Sequence, residues 1–383
     1  MPRLLFLFSA VNLVIGTGAF IITGILDLVA LDLGLSVAAA GQAMTAYAIS
    51  TAVLAPLLLM ATGAWPRKHV LLLALAFFIA GNAVCALAPN LPVLLTGRVL
   101  MGLGASFTPL AAGITVALVA PQRRGQALAL VFLGVSLSYV IGLPLGSWLG
   151  HAQGWQAAVW AVCGLAVLAA AAVLVGVPAT VQAPGAGFSG LGALIKRREV
   201  LAVLLLTWLY FTAIFTVFSY IGPVLRALLA LNSTQLSWTL MLFGLSGVAG
   251  TLIGGAANDR FGARPTLQVQ LALLLLMLLL LPLTVGHGGA MLIVLLVWGM
   301  AGFGMMAPQQ LWLAQLAPAQ VPVLLSLNTS MLYLGTAAGA VVGGLGASAV
   351  GFAQLPWAGA PFALAGLVLL WASAPPRRAG AAG

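Results

Sequence analysis

VPATVQAPGAGFSGLGALIKRRE, residues 177–199, is the longest stretch of the chain without a spanning apolar run, and it is rich in proline and glycine. On either side the chain reads as six apolar segments, each near the roughly 20 residues a helix needs to cross a bilayer. Proline, glycine and charge punctuate them. Spans are expected near 4–29, 38–62, 69–87, 91–119, 125–149 and 155–178, and again near 199–224, 233–257, 265–285, 289–316, 322–348 and 356–374. The expected fold is an all-α membrane protein of about 12 transmembrane helices in two six-helix bundles, residues 1–178 and 199–383, joined by a linker at 179–198. Ten helices with two re-entrant segments is the alternative.

Composition says the same. Hydrophobic residues make up 63% of the chain and charged residues 5%, which no soluble fold of this size can bury. Strand-like alternation is absent, which argues against a membrane β-barrel. A net charge of +10, from 14 Lys+Arg against 4 Asp+Glu, would point to nucleic acid in a soluble protein. Here the bases fall in short clusters between spans, so no nucleic-acid partner is expected. Cys85 and Cys163 lie inside apolar spans with no metal-ligand spacing. Acids and histidines are scattered, and Walker, HExxH and GxSxG motifs are missing. Neither an enzyme nor a metal or other cofactor is indicated.

The bases set an orientation. Arg3, Arg67, Lys68, Arg123, Arg124, Lys196, Arg197, Arg198, Arg260, Arg264, Arg377 and Arg378 fall in alternate loops or at the termini. Both termini and the linker are therefore expected in the cytoplasm, with Arg226 as the exception on the other side. The start of the chain is read as the first helix rather than a cleaved leader. The loops GAWPRKH, from Gly63, and GAANDRFGAR, from Gly255, occupy matching places in the two halves and mark an internal repeat.

Within this frame a few residues carry chemistry. Gly255, Asp259, Arg260, Gly262 and Arg264 fit the pattern GxxxDRxGxR. Small residues there let helix ends approach, Asp259 can accept from the next helix's N-terminus, and the arginines anchor at headgroups, which together make a cytoplasmic latch. A turn that only sets topology is the plainer reading. Arg98, some seven residues inside the fourth span, is expensive to bury and points to function, with snorkelling as its alternative. Asp27 is the acid placed within a span. It shares one helical face with Asn12, Gly16, Ala19 and Thr23, and its depth should match that of Arg98. An acid facing an arginine in a cavity can bind and release a proton; an acid that merely wets at the helix end is the competing account. Gly142, Pro144 and Gly146 in the fifth span, and Gly335, Gly339 and Gly343 in the eleventh, suggest close packing or moving seams. Trp208, Thr212, Phe215 and Ser219 share a face of the seventh span; Trp298, Gly302, Met305, Gln309 and Trp312 share one of the tenth. With Asn12 and Thr23 these stripes are candidates for a substrate cavity, or for interface and packing residues.

GILDLVALDLGLSVAAAGQAMTAYAISTAVLAPLL (24–58), ALAPNLPVLLTGRVLMGLGASF, GVSLSYVIGLPLGSWLGHAQGW and LNTSMLYLGTAAGAVVGG resemble bacterial efflux proteins of the major facilitator superfamily. Within it they are similar to the drug:proton antiporter branch of arabinose-efflux and chloramphenicol-efflux-like permeases. The resemblance covers essentially the whole chain. It implies a two-bundle fold with alternating access, export driven by proton entry, a proton-coupling role at Arg98, and an antiporter signature at Gly142, Pro144 and Gly146. The chain departs from the pattern in three places: GAWPRKH has no aspartate, Leu143 replaces the glycine before Pro144, and Ala19 stands beside Phe20 where some relatives carry an acid. The expected partners are a small-molecule substrate, protons and the lipid bilayer, with the chain acting as a monomer in the bacterial inner membrane. Uptake or uniport, and a non-transporting receptor or scaffold, are the other readings.

Overall fold

A computed structural model describes residues 2–120, 123–178, 181, 196–317 and 321–372. Most of the expected linker, together with Arg377 and Arg378, lies outside the described residues. Among those described, twelve helices are long and apolar enough to span a bilayer: α1 Arg3–Gly24, α2 Val37–Ala61, α3 Arg67–Ala86, α4 Leu91–Leu118, α5 Gln126–Gln153, α6 Trp155–Gly176, α7 Arg198–Phe218, α8 Ser233–Phe261, α9 Ala263–Thr284, α10 Gly288–Leu316, α11 Val323–Val350 and α12 Leu355–Ala372. Helices are the form this sequence takes because lipid offers no partners for backbone N–H and C=O groups. The ten-helix alternative is set aside, since α10 and α11 are both full spans.

Two faces follow. One, the basic face, carries Arg3, Arg67, Lys68, Arg198, Arg260 and Arg264 at helix ends. On the opposite face, where bases are scarce, helices start from small polar caps. Ser36 accepts from the amide of Ala39 (3.1 Å) and Asn90 from that of Val93 (3.1 Å), while Asn232 and Gln235 cap each other reciprocally. The spans α1 and α7 are each followed, after a break, by a short helix on this opposite face, Leu26–Asp32 and Ile221–Leu228.

Glycine sets how closely the helices pack inside each bundle. Gly134, Gly142 and Gly146 of α5 lie against Ser9, Thr17 and Ile21 of α1, and Gly150 against Ile25 just past its end. Gly335, Gly339 and Gly343 of α11 lie against Trp208, Thr212 and Thr216 of α7. Both stripes are therefore contacts within a bundle, which favours close packing over moving seams at these glycines: backbones this close interlock. The seams between the halves use other surfaces, α2 on α11 and α5 on α8. Tyr47 and Tyr333 meet edge-on at 6.3 Å, Ser330 donates to the Ala52 carbonyl (3.2 Å), and Gly244 abuts the Tyr139 backbone. Both N-half helices at these seams carry a π-turn at mid-span, Ser50–Leu54 in α2 and Ser138–Gly142 in α5. Such turns are a recognised source of local bending, and Pro144 follows directly on the second.

A methyl group at position 134 would run into the Ser9 carbonyl oxygen, whereas one at 255 meets open space. Gly134→Ala should therefore lower stability by about 1–3 kcal/mol, read as a drop in thermal midpoint in detergent, while Gly255→Ala should leave it unchanged.

Candidate functional site

Asp27 sits where α1 ends. The helix breaks at Ile25 (φ −125°, ψ 16°), and the short helix Leu26–Asp32 carries Asp27 beyond the span. There its Oδ2 accepts a charge-assisted hydrogen bond from the guanidinium of Arg226, which the short helix Ile221–Leu228 brings from the other half. His151, in the last turn of α5, places Nε2 3.6 Å from the same oxygen. The His151 Nδ1 lies 2.7 Å from the Ser147 carbonyl. A carbonyl accepts only, so the proton of the neutral ring belongs on Nδ1, and Nε2 becomes a donor to Asp27 only when the ring is charged. Burial alone would raise the Asp27 pKa; the neighbouring His151 and the charge of Arg226 outweigh it and hold the carboxyl below its ordinary value. The pair's contribution is thus present above the usual carboxylate range and is lost as pH falls through the lowered value.

Arg98 is elsewhere. Its guanidinium, 2% exposed, donates to the carbonyls of Gly18 (2.9 Å) and Ala19 (2.7 Å) in α1, its Nε donates to Ala43 in α2 (3.1 Å), and the group lies 4.8 Å over the Tyr47 ring. Snorkelling is excluded by this burial. The expected pairing of Asp27 with Arg98 is corrected: the break after Gly24 turns Asp27 toward the other half, and Arg98 is satisfied by backbone carbonyls one to two turns earlier. Arg226, first read as an exception to the charge rule, is the true partner, and its position outside the spans was the signal available.

Between this ion pair and the middle of the protein lies an aromatic layer built from both halves. Phe20 stacks on Tyr139 (4.7 Å) and meets Phe215 (6.1 Å) and Phe218 (6.2 Å); Tyr139 meets Phe303 (4.9 Å) edge-on. Of these, Phe215 was anticipated from the sequence. The others are aromatics that face away from lipid inside spans, which no helical stripe singled out. Tyr220, between α7 and the short helix Ile221–Leu228, adds a tie to α2 and α11, donating to Ala340 (2.9 Å) and, more weakly, Ala38 (3.4 Å). These contacts between the halves lie at mid-depth or toward the opposite face.

The remaining candidates lie within the bundles. Asn12 donates to Val131 (3.0 Å) and accepts from Thr108 (2.7 Å); Thr23 donates to its own helix at Phe20. Gln309 donates to Thr207, which donates in turn to Asn328, linking α10, α7 and α11. Trp312 is buried, and Trp208 packs edge-on against Phe362 of α12. The polar groups of Asn12, Thr23 and Gln309 are spent inside their half.

On the basic face, Gly262 takes a positive φ of 83° that glycine adopts without strain and turns the chain from α8 into α9. Arg264 donates to Leu370 (2.9 Å) and Trp371 (3.0 Å), closing the end of α12. Arg260 lies over the Phe261 ring at 5.2 Å. Asp259 is exposed and makes no ion pair among the described residues, so the expected bond to the next helix's N-terminus is corrected. Gly255 faces open space.

A family model described as Major Facilitator Superfamily matches residues 8–321 and 203–383. The chain is 31% identical to the inner membrane transport protein YdhP of Escherichia coli strain K12, over 94% of this chain and 93% of that protein. It is 33% identical to a chloramphenicol resistance protein of Streptomyces lividans, over 89% and 88%. In fold it is similar to the crystal structure of a D-xylose-proton symporter, with a TM-score of 0.80, 15% identity and 97% of each chain covered.

A thiol placed at Ser219, buried seven positions before Arg226, reports on access from the face opposite the bases. Asp27→Asn or Arg226→Gln should raise its labelling by a water-soluble reagent about two- to fivefold, the range of a half-exposed ion pair. The exchange Asp27→Arg with Arg226→Asp should return it most of the way.

Proposed function

The chain belongs to the major facilitator superfamily, and on that footing we propose that this membrane transporter exports a small amphipathic, drug-like or sugar-like compound from the bacterial cytoplasm in exchange for protons. The observation that carries this reading is the closure itself. Asp27 and Arg226 join the halves on the face opposite the bases, above an aromatic layer drawn from both halves. With the basic face on the cytoplasmic side of the inner membrane, this state withholds its passage from the outside and loads from within. A relative named for chloramphenicol resistance fits such a cargo, and the aromatic layer offers it apolar, stackable surface. Both termini lie in the cytoplasm, and one chain suffices, because the passage lies between its own halves.

Coupling runs through Asp27. While the outer side is closed, Arg226 keeps the carboxyl ionised. When the halves part, that cation withdraws, and the residual burial then favours the neutral acid. Outward opening and proton uptake at Asp27 are thereby linked. Arg98 acts as a positioning residue, fixing the part of α1 that leads to Asp27. The π-turn with Gly142, Pro144 and Gly146 bends α5 as the halves rock, and Gly255, Asp259, Arg260, Gly262 and Arg264 latch the basic face in the state where the outside is open.

The test is proton movement in proteoliposomes on addition of sugars, phenicols and lipophilic cations. Substrate-dependent proton flux is expected in the natural protein. In Asp27→Asn the flux should lose its pH dependence. Substrate flux without a proton signal would make the protein a uniporter and Asp27 a gate alone.

A further inference from the structure

His151 stands between two acceptors. Its Nδ1 lies 2.7 Å from the Ser147 carbonyl and its Nε2 3.6 Å from Asp27 Oδ2, with the side chain 5% exposed. The neutral ring has one N–H, and the carbonyl takes it. Nε2 is left buried, its lone pair toward a carboxylate, with no hydrogen-bond partner. Only a second proton gives both nitrogens something to donate. The ring is also fixed relative to Asp27. Ser147, whose carbonyl faces Nδ1, donates through its hydroxyl to the Gly24 carbonyl at the end of α1 (3.0 Å), and Gly150 lies against Ile25 just beyond. His151 and Asp27 therefore belong to one body, the first half, whereas Arg226 comes from the other.

Charges on one body keep their mutual energy when the halves part; charges on different bodies lose it. Asp27 favours a proton on the ring in both states. Arg226 bonds the same Oδ2 and opposes that proton, like charge against like, only while the outer side is closed. The other titratable groups on this face do not reverse the sign. Asp32, held by Trp155 (2.8 Å) and Gln156 (2.7 Å), belongs to the first half. His287 of the second half is exposed, with Nδ1 2.9 Å from the Val285 carbonyl, and a charge on it would act in the same sense as Arg226. By linkage, a proton on His151 weakens the closure. We propose that His151 is the pH trigger of the outer gate: its Nε2 takes a proton from outside, draws Asp27 Oδ2 from Arg226 to the ring and frees the halves. Closing 3.6 Å to the ~2.8 Å of a charge-assisted hydrogen bond pulls the carboxylate away from Arg226. The proton comes from water, adds to a lone pair and breaks no bond in the protein. It needs no cavity, because Asp27 and Arg226 are 24% and 29% exposed and water stands at the pair. The trigger works in the imidazole interval, about pH 5–8, where a carboxylate held by an arginine stays ionised. The proposal rests on the pair being the outer closure, and adds the group that sets its pH.

The experiment places spin labels at exposed Leu31 and Leu283 of the full chain in lipid nanodiscs and follows their distance, without substrate, from about pH 8 to about pH 5. The open fraction should rise about two- to fivefold over this interval, the range of a half-exposed ion pair. His151→Gln should match the natural protein at the alkaline end and lose the step. His151→Lys, charged throughout, should be open at both ends. A step that survives in His151→Gln overturns the proposal. Opening that begins only in the carboxylate range, alike in the natural protein and His151→Gln, overturns it too and leaves the Asp27–Arg226 closure standing. Distances that ignore both pH and Asp27→Asn overturn the closure as well. Should His151→Gln fail to fold, a natural protein without the step, or His151→Lys closed at the alkaline end, overturns the proposal equally.

Discussion

Lipid offers no hydrogen bonds, and a polar group placed in it must find its partner within the protein. That constraint orders most of this molecule. It makes every span a helix. It draws Arg98 onto three backbone carbonyls instead of a carboxylate, since carbonyl oxygens on α1 and α2 satisfy a guanidinium at a depth where no acid is in reach. It ties Asn12 to α5 and α4, and chains Gln309 through Thr207 to Asn328. The groups it leaves unsettled are then informative. Asp27 lies where the spans end, with Oδ2 shared between Arg226 and His151 and Oδ1 unpartnered. Gln270 keeps its Oε1 enclosed in the protein without a partner.

The same constraint explains which of these contacts can move. Close backbone approaches such as those at Gly134 and Gly339 lock helices together inside one bundle. Between the halves, among the described residues, the ties include the approach of Gly244 to the Tyr139 backbone but are mostly of another kind: an ion pair at the border of the spans, a few tyrosine and serine hydroxyls, and aromatic rings that can restack. An ion pair there can exchange its partner for water or a proton at modest cost, which is the property a gate requires and a buried pair lacks.

Much of the fold was legible from the sequence because it rests on local pattern. Apolar run length gave twelve spans, and the Pro/Gly-rich stretch at 177–199 separated two sets of six. The candidate site was half legible. Arg98 was recognisable by the cost of burying it, and Asp27 was singled out as the acid within a span, although the structure places it just beyond one. Their partners were not, because a helical face defines direction only while the helix continues. The break at Ile25 redirects Asp27, and four-residue spacing carries no trace of it. Arg226 stood out as a base on the wrong side, yet pairing it across 199 positions needed the two short helices after α1 and α7. The glycine stripes were found but left open between close packing and moving seams, since spacing shows that a helix packs closely without showing on which neighbour. The unpartnered acceptor of Gln270 left no sequence signal, because an amide in an apolar run looks the same whether satisfied or not.

The central claim is that the halves are held shut on the outer side by the Asp27–Arg226 pair and part there as the basic face closes. Spin-label distances test it most directly, with one pair at exposed Leu31 and Leu283 on the outer ends and another at exposed Trp65 and Phe261 on the basic face. In nanodiscs, acidifying the medium, or Asp27→Asn at neutral pH, should lengthen the outer distance and shorten the inner one. Outer and inner distances that stay fixed under both treatments, or that lengthen together, would contradict it.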